Sequence, residues 1–336
     1  MWIPILLLAV GLVLLIKGGD WFVDGASGIA RRFRLPEILI GATVVSIGTT
    51  LPEVMVSSGA ALQGSGEIAY GNAIGSIICN TSLIAAVTIA IKPGKAARRT
   101  MALPVAFFFF AAAVYCICAY ALGVFSRLVG ILLLAIFVTY MVANVWQMRK
   151  NAAHDTLETA PTCETEEAAV TVEEGKSSKL SALKDVLFLV IGAALIAIGA
   201  DLLVDNAVLV AEHFSVSEKV IGLTIVALGT SLPEFVTAIT SLIKGHGSLS
   251  LGNIIGANLF NLVFVSGMAV TINPFPVPEA GLIGGYNASF VLDIPVMLGV
   301  MAILTIPTLI KQRLYRWQGF LLLGVYAAFC VAQFTI

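Results

Sequence analysis

Two glutamates, Glu53 and Glu234, occupy nearly identical segments within otherwise apolar stretches of the chain. Residues 48–53 read GTTLPE and residues 229–234 read GTSLPE. A carboxylate inside a bilayer costs about 2.5 to 3.5 kcal/mol even on lenient insertion scales, so a chain that keeps two of them needs a compensating interaction. The duplication therefore indicates a role for both carboxylates, and cation binding is the chemistry that suits them.

The residues around each glutamate supply further oxygen atoms. Pro52 and Pro233 cannot donate to the carbonyl groups four residues earlier, so these carbonyls are free to meet another partner. Hydroxyl groups lie within one helical turn of each glutamate: Thr49, Thr50, Thr230 and Ser231. Because hard cations prefer carboxylate, carbonyl and hydroxyl oxygens, this composition favours a site for such an ion.

A second pair of segments follows downstream, GNAIGSIICN at residues 71–80 and GNIIGANLFN at residues 252–261. Ser76 and Asn80 are four residues apart and so share one helical face. Asn80 and Asn261 offer neutral amide oxygens. The glycines at 71, 75, 252 and 256 have small-xxx-small spacing, which predicts close packing on the proline-containing helix of the same half.

The composition requires a membrane protein to position these residues. The 336 residues are 59% hydrophobic and 12% charged, with a mean hydropathy of +0.99. This is too apolar for a soluble globule. With about 20 apolar residues needed per span, we predict an all-α polytopic protein with ten transmembrane helices at about 2–30, 36–61, 67–91, 100–122, 125–148, 183–212, 217–243, 248–271, 285–310 and 317–335.

The basic residues predict the orientation. If the N-terminus lies outside, 16 of the 19 Lys and Arg residues lie in the cytoplasm. The three exceptions are Lys17, Arg127 and Lys219. The positive-inside rule then favours a chain with both termini outside, N-out and C-out.

The chain also matches itself at a shift of 181 residues, which carries Asp20 onto Asp201 and Glu53 onto Glu234 without a gap. This predicts two five-helix repeats, at 1–148 and 183–336. An odd number of spans per half makes the repeats inverted, an architecture of secondary transporters. Between them, residues 149–182 form an acidic cytoplasmic linker without a calcium-loop pattern.

Several other acidic residues are less informative. Asp20, Asp24, Asp201 and Asp205 lie near helix ends, where they either attract cations into a vestibule or serve as ordinary interfacial carboxylates. Asp293 lies in the ninth span and has no acidic counterpart, because position 112 is alanine. The sequence assigns Asp293 no function.

The duplicated segments resemble the α-repeats of the calcium/cation antiporter superfamily, especially the prokaryotic sodium/calcium exchangers. The resemblance covers about 36–91 and 217–272, and the ten-span arrangement extends it across the chain except for the linker. It implies export of Ca2+ in exchange for Na+ by alternating access, in a multi-pass prokaryotic plasma membrane protein. It implies no cofactor, since Ca2+ and Na+ bind as transported substrates, and no nucleic acid or obligate protein partner.

The resemblance also implies a ligand set. Glu53 and Glu234 become the central ligands shared by Ca2+ and Na+. The surrounding positions, as backbone or side-chain oxygen donors, are Ser46, Thr49, Thr50, Ser76, Asn80, Ala227, Thr230, Ser231 and Asn261. The long first and sixth helices are expected to slide past the core during gating.

Two departures weaken the second half of this shell. Many relatives carry aspartate where this chain has Asn261, and serine where it has Ala257. Two carboxylates balance one Ca2+, whereas three Na+ leave an excess positive charge in a low-dielectric site. Fewer Na+ per Ca2+, exchange against H+, or a requirement for K+ therefore remain alternatives, and a cation channel is a further one. An enzyme is disfavoured, because the chain has three histidines and no Gly-x-Ser-x-Gly or His-Glu-x-x-His motif.

Overall fold

The computed structural model describes residues 2–33, 35–158, 179–213, 227–278 and 282–335. Helices dominate these residues, as expected where lipid offers backbone groups no partner. The helices are α1 Trp2–Arg32, α2 Glu37–Leu62, α3 Gly66–Ile91, α4 Arg98–Leu122, α5 Arg127–Glu158, α6 Lys179–His213, α7 Ala227–Thr230, α8 Leu232–Ile243, α9 Gly247–Ile272, α10 Ser289–Lys311 and α11 Arg316–Thr335.

The prediction of an all-helical membrane protein is confirmed, since eight of the described helices (α1 to α6, α9 and α10) are long and apolar enough to cross a membrane. Two helices extend beyond their predicted spans at 125–148 and 183–212. Helix α5 continues to Glu158 and α6 begins at Lys179, so both enter the segment predicted as linker at 149–182. Residues 159–178 of that linker, and residues 217–226 of the predicted seventh span, lie outside the described residues.

Helix α10 starts later than the predicted residue 285 because a short hairpin precedes it. Strand β3 Leu282–Ile283 pairs antiparallel with β4 Tyr286–Asn287. The turn between them uses Gly284 and Gly285 at φ +58° and +88°, and two residues at positive φ suit a tight hairpin turn.

A second antiparallel strand pair links the two halves of the chain. Strand β1 Val124–Phe125, between α4 and α5, pairs with β2 Phe275–Pro276, which follows α9. Phe125 is fully buried and packs its ring on Phe275 and Tyr115. The loops after α4 and after α9 therefore lie together at one end of the helix bundle.

Helices α1 and α6 lie side by side along a seam of glycines. An added Cβ at Gly18 would meet Gly192 and Ile196 within 3.0 Å, whereas one at Gly199 would meet Gly11. The contacting positions move up α1 as they move down α6, from Gly11 with Gly199 to Gly18 with Gly192, so the two helices are antiparallel. Arg32 Nη2 pairs with Asp185 Oδ2 at 3.0 Å at one end of the seam.

The helix bounds repeat at the 181-residue shift. Helix α3 (Gly66–Ile91) corresponds residue for residue to α9 (Gly247–Ile272), and both contain a π-helical turn that begins at the equivalent asparagine, Asn80 or Asn261. Further π turns span Gly41–Val45 in α2, Cys118–Leu122 in α4 and Ser289–Asp293 in α10. Such turns within α-helices are frequent at functional sites.

The glycine packing differs from the prediction. Gly252 and Gly256 of α9 pack closely, but on α2 of the other half: an added Cβ at Gly252 would strike the Ile38 backbone, and one at Gly256 would lie 2.6 Å from Ala42 Cα. For Gly71 and Gly75, no atom of the described residues lies within 4 Å of an added Cβ. The closely spaced glycines of α9 therefore pack the second half of the chain against α2 of the first half. Their spacing in the sequence does not specify which helix is the partner.

Candidate cation-binding site

The two glutamate motifs come together in the interior of the helix bundle. Glu53 and Glu234 are both fully buried. The Thr50 hydroxyl of α2 donates to Glu234 Oε1 of α8 at 3.4 Å, and Glu53 follows Thr50 by three residues on the same helix. Two carboxylates from opposite halves of the chain are thus concentrated in one buried region.

Most carboxylate oxygens at this site have no hydrogen-bond partner among the described residues. These atoms are Glu53 Oε1, Glu53 Oε2 and Glu234 Oε2. Buried charges without partners are costly, because removal from water is not compensated. A bound cation would provide the missing interaction. In the described part of the chain, no three His, Cys, Asp or Glu residues are grouped so that they could hold a metal ion, so any cation here would depend on two carboxylates and neutral oxygens.

The two motif copies differ in backbone structure. Helix α2 runs without interruption through its motif, with Pro52 inside the helix. The second copy is broken: α7 ends at Thr230, and α8 begins at Leu232 with Pro233 in its first turn. Pro233 is well placed there, because the first turn of a helix needs no amide donor.

This break gives the two glutamates different electrostatic environments. Glu234 lies in the first turn of α8, where the partial positive charge of the helix N-terminus stabilises a carboxylate. It also accepts from Thr50. Glu53 lies in the middle of α2 and has neither interaction. Glu53 is therefore the less compensated of the two charges.

The two predicted amide ligands are buried but do not bond to the glutamates. Asn80 and Asn261 are fully buried, and the nitrogen and oxygen of each side chain lack a hydrogen-bond partner among the described residues. Each begins a π turn. Their amide oxygens are therefore available, although no hydrogen bond connects either residue to Glu53 or Glu234.

Asn253 makes a contact that the sequence did not indicate. Its Oδ1 accepts from Thr49 Oγ1 at 3.2 Å. The Ser46 hydroxyl has one hydrogen to donate, and its possible acceptors are the Gly41 carbonyl at 2.7 Å, the Asn253 backbone oxygen at 3.0 Å and Asn253 Oδ1 at 3.3 Å. By accepting the Thr49 hydrogen, Asn253 leaves the lone pairs of the Thr49 hydroxyl oxygen for other partners. The available signal was its repetition as Asn72 at the 181-residue shift.

Asn72 makes different contacts from its repeat counterpart. Its Nδ2 donates to the Glu53 carbonyl oxygen at 3.1 Å and to Ser57 Oγ at 2.8 Å. Asn72 thus binds α2 of its own half, as Asn253 binds α2 of the other half. Both asparagines hold the helix that carries Glu53.

The remaining predicted ligands lie on the same elements. Ser76 on α3 and Ser231 between α7 and α8 are buried, and Ser231 Oγ has no partner among the described residues. Thr230 is part of α7. Ala227 begins α7, and its side chain lies outside the description. Hydrogen bonds therefore join Ser46 and Thr49 of α2 to α9, and Thr50 of α2 to Glu234 of α8, but they do not connect the whole predicted set.

Three acidic residues outside the site have partners of their own. Lys244 Nζ pairs with Asp24 Oδ1 at 2.8 Å and Asp20 Oδ1 at 3.4 Å, which anchors α1 to the turn between α8 and α9. The predicted alternative of interfacial carboxylates therefore suits these two residues. Asp293 Oδ1 accepts from Gln333 Nε2 at 2.7 Å, so it ties α10 to α11.

The chain is similar to a known protein family, to individual proteins and to solved structures. The profile of the sodium/calcium exchanger protein family matches residues 3–146 and 184–335. The chain is 35% identical over 330 residues to the putative antiporter CaxA of Alkalimonas amylolytica, covering 97% of each protein. It is 31% identical to the sodium/calcium exchanger MaX1 of Methanosarcina acetivorans, covering 98% of each. The fold matches a structure of the sodium-calcium exchanger NCX_Mj soaked with 10 mM Na+ and zero Ca2+, with TM-score 0.76, 30% identity and 97% coverage of both chains.

Proposed function

The chain belongs to the sodium/calcium exchanger protein family and is a multi-pass integral membrane antiporter of cations, and from this premise we propose that it exports Ca2+ in exchange for Na+. The observation that carries the proposal is the fully buried pair Glu53 and Glu234. Their charge matches a single Ca2+, and a relative named as a sodium/calcium exchanger aligns with almost the entire chain.

The proposed site combines these two carboxylates with neutral oxygens. Thr49 and Thr50 would contribute from α2, Thr230 and Ser231 from the second motif, and Ser76, Asn80 and Asn261 from the helices behind them. Ser46 and Ala227 would offer backbone carbonyls. A hard cation suits this ligand set, because Ca2+ takes six to eight oxygen ligands in flexible geometry.

We further propose that two inverted five-helix repeats alternate access to this site. The residue-for-residue agreement of α3 with α9 supports a structural repeat, and the antiparallel seam between α1 and α6 supports opposite orientations of the two halves. The charge distribution favours both termini outside. Ten spans then follow when α7 with α8, and α11, each count as one.

The coupling ion is the finer part of the proposal. Asn261 and Ala257 leave only two carboxylates at the centre. Exchange of two Na+ for one Ca2+ would therefore keep the net charge of the occupied site constant. Two H+ would do the same, which makes a Ca2+/H+ antiporter the second candidate. A channel is a weaker candidate, because inverted repeats suit alternation rather than a continuous pore.

Transport in proteoliposomes tests these alternatives. Purified protein would be reconstituted, and Ca2+ uptake followed with an outward Na+ gradient, an outward H+ gradient, or neither. Uptake driven by Na+ alone is expected. Uptake driven by H+ alone would replace Na+ as the coupling ion, while equal Ca2+ uptake with no counter-ion gradient would refute antiport and favour a channel.

A further inference from the structure

A cavity of about 270 Å³ opens where the end of α3 meets the turn between α8 and α9. Its wall includes Lys92 and Lys95, which follow α3, and Gly247, Ser248 and Ser250 at the start of α9. No Asp or Glu lines it. With the orientation proposed above, this cavity is on the cytoplasmic side.

The two lysines give the cavity positive charge. Both side chains are exposed, and neither forms an ion pair with a carboxylate in the described part of the chain. Arg313 lies beside Lys95 through a backbone bridge between the two residues, so a third cation is nearby. This concentration of unpaired basic residues attracts anions.

The start of α9 adds hydrogen-bond donors. The first amides of this 26-residue helix, those of Gly247 and Ser248, have no intrahelical acceptor, and the residue before them provides no side-chain cap. A helix N-terminus of this kind favours phosphate groups. Independently, Ser250 lines the cavity and is only 3% exposed, and its Oγ has no hydrogen-bond partner among the described residues.

One carboxylate competes for this helix end. Glu37 Oε2 accepts from Ser248 Oγ at 2.9 Å, and Glu37 Oε1 lies 2.6 Å from His246 Nδ1. Glu37 does not line the cavity. The residues that line the cavity include two lysines and no carboxylate, so its wall keeps an excess of positive charge.

The equivalent positions in the other repeat carry different residues, so the helix arrangement common to both repeats does not require the lysines and serines of the cavity. At the 181-residue shift, Lys92 and Lys95 correspond to Asn273 and Pro276, while Ser248 and Ser250 correspond to Glu67 and Ala69. The equivalent end of α3 therefore has a glutamate and no matching lysines. The basic cavity is a feature of one end of the protein only.

We infer that this cavity binds a phosphate-bearing anion, either the headgroup of an anionic lipid or a soluble phosphate compound. Lys92 and Lys95 would neutralise the charge, and the first amides of α9 with the Ser250 hydroxyl would donate to the phosphate oxygens. Because the lysines follow α3 and the other donors begin α9, the bound anion would cross-link these two helices.

Binding to the purified full chain in neutral detergent tests this inference. The two probes are phosphatidylglycerol, counted per protein by native mass spectrometry, and inorganic pyrophosphate, titrated by calorimetry; phosphatidylcholine is the neutral reference. Lys92→Gln with Lys95→Gln, and Ser250→Ala, would be compared with Lys184→Gln, which alters a basic residue of α6 that does not line the cavity. Gel filtration verifies that each variant is folded.

At least one probe is expected to bind with 1:1 stoichiometry and to lose about fivefold in affinity per lysine removed. Loss with Ser250→Ala and none with Lys184→Gln would support the site. Preference for phosphatidylglycerol identifies a lipid headgroup, and preference for pyrophosphate a soluble phosphate. Binding of neither probe, or equal loss in Lys184→Gln, would overturn the inference. Since no ion gradient is involved, failure here is distinguishable from failure of the proposed exchange.

Discussion

Thr50 Oγ1 lies 3.4 Å from Glu234 Oε1, so a hydroxyl of the first motif bonds to the carboxylate of the second. This contact connects residues that are 184 positions apart. It places the two duplicated segments against each other and gives the proposed cation site its first measurable test.

Removing either central charge should abolish exchange. Glu53→Gln and Glu234→Gln each keep the side-chain shape but leave one carboxylate for a divalent ion, so Ca2+ uptake should fall at least about 100-fold, equivalent to about 2.7 kcal/mol. Uptake in proteoliposomes, at matched protein content, measures this. Glu67→Gln, at an exposed glutamate, is the control and should transport normally. Normal uptake by both buried-site variants would exclude these glutamates as ligands.

The Thr50 hydroxyl should contribute to ion affinity. Thr50→Val removes the donor to Glu234 without a large change in volume, and a hydrogen bond to a charged group contributes about 1.5 to 3 kcal/mol. We expect Ca2+ binding to weaken about tenfold or more, as measured by calorimetry, and Thr50→Ser to restore most of it. Thr139→Val is the matched control, since its exposed hydroxyl bonds only within α5. Equal affinities in Thr50→Val and the wild-type chain would contradict the prediction.

Asn253 should matter through the hydroxyls it holds. Asn253→Leu would leave the buried Thr49 hydroxyl without its Oδ1 acceptor, with an expected loss of about 1 to 3 kcal/mol in stability and weaker Ca2+ binding. Asn253→Asp retains an acceptor oxygen and should bind Ca2+ more tightly than Asn253→Leu. Thermal unfolding and calorimetry report the two effects.

A control separates this effect from the loss of any buried amide. Asn206→Leu removes an amide that donates within its own helix to the Leu202 carbonyl, so it should leave Ca2+ affinity unchanged. If Asn253→Leu lost stability without losing affinity, Asn253 would be a structural residue only.

The close contact between α2 and α9 should tolerate no extra methyl group. Gly256→Ala would place Cβ 2.6 Å from Ala42 Cα, and overpacking of this kind costs about 1 to 3 kcal/mol. We expect a lower midpoint of thermal unfolding in detergent. Gly324→Ala, where no described atom lies within 4 Å of the added Cβ, should change the midpoint little. Similar midpoints for both variants would mean that α2 and α9 separate more easily than the structure indicates.

A third carboxylate should change the number of ions exchanged. Asn261→Asp adds a negative charge at the proposed site, so one more Na+ per Ca2+ would be needed to balance it. Transport should then become more sensitive to an imposed membrane potential, measured as the reversal potential for Ca2+ flux. Asn258→Asp is the control, because Asn258 is outside the proposed ligand set and its amide bonds to Thr81 and Met301. An unchanged reversal potential in Asn261→Asp would separate this position from coupling.

Sequence patterns predicted the helices well because lipid imposes long apolar runs with clear ends. The bounds of α3 and α9 agree with the predicted spans to within one residue at each end. The duplication likewise identified Glu53 and Glu234. Because a carboxylate within a membrane costs free energy, keeping two at equivalent positions indicates a role for both. Helix bounds depend on single segments of the sequence, and the glutamates were found because their segment is repeated, so both could be predicted without knowing how the helices pack.

Properties that depend on which helices meet were not predictable in the same way. The spacing of Gly252 and Gly256 indicated close packing but not that α2 would be the partner. The two motifs have almost the same residues, yet α2 is continuous while the second copy breaks at Ser231. Asn253 was visible as a repeated residue, but its bonds to Ser46 and Thr49 arise only from the crossing of α2 and α9.

The glycine seam between α1 and α6 restricts how these helices can move. Their backbones lie close together at Gly18 and Gly192, where a Cβ added to either residue would meet the carbonyl oxygen of the other within 3.0 Å. Sliding of one helix along the other would bring side chains into places that now admit only glycine, so the seam disfavours a change of register. We therefore expect α1 and α6 to move together when the centre of the protein opens, with the Lys244–Asp24 ion pair as a restraint on their movement relative to α8.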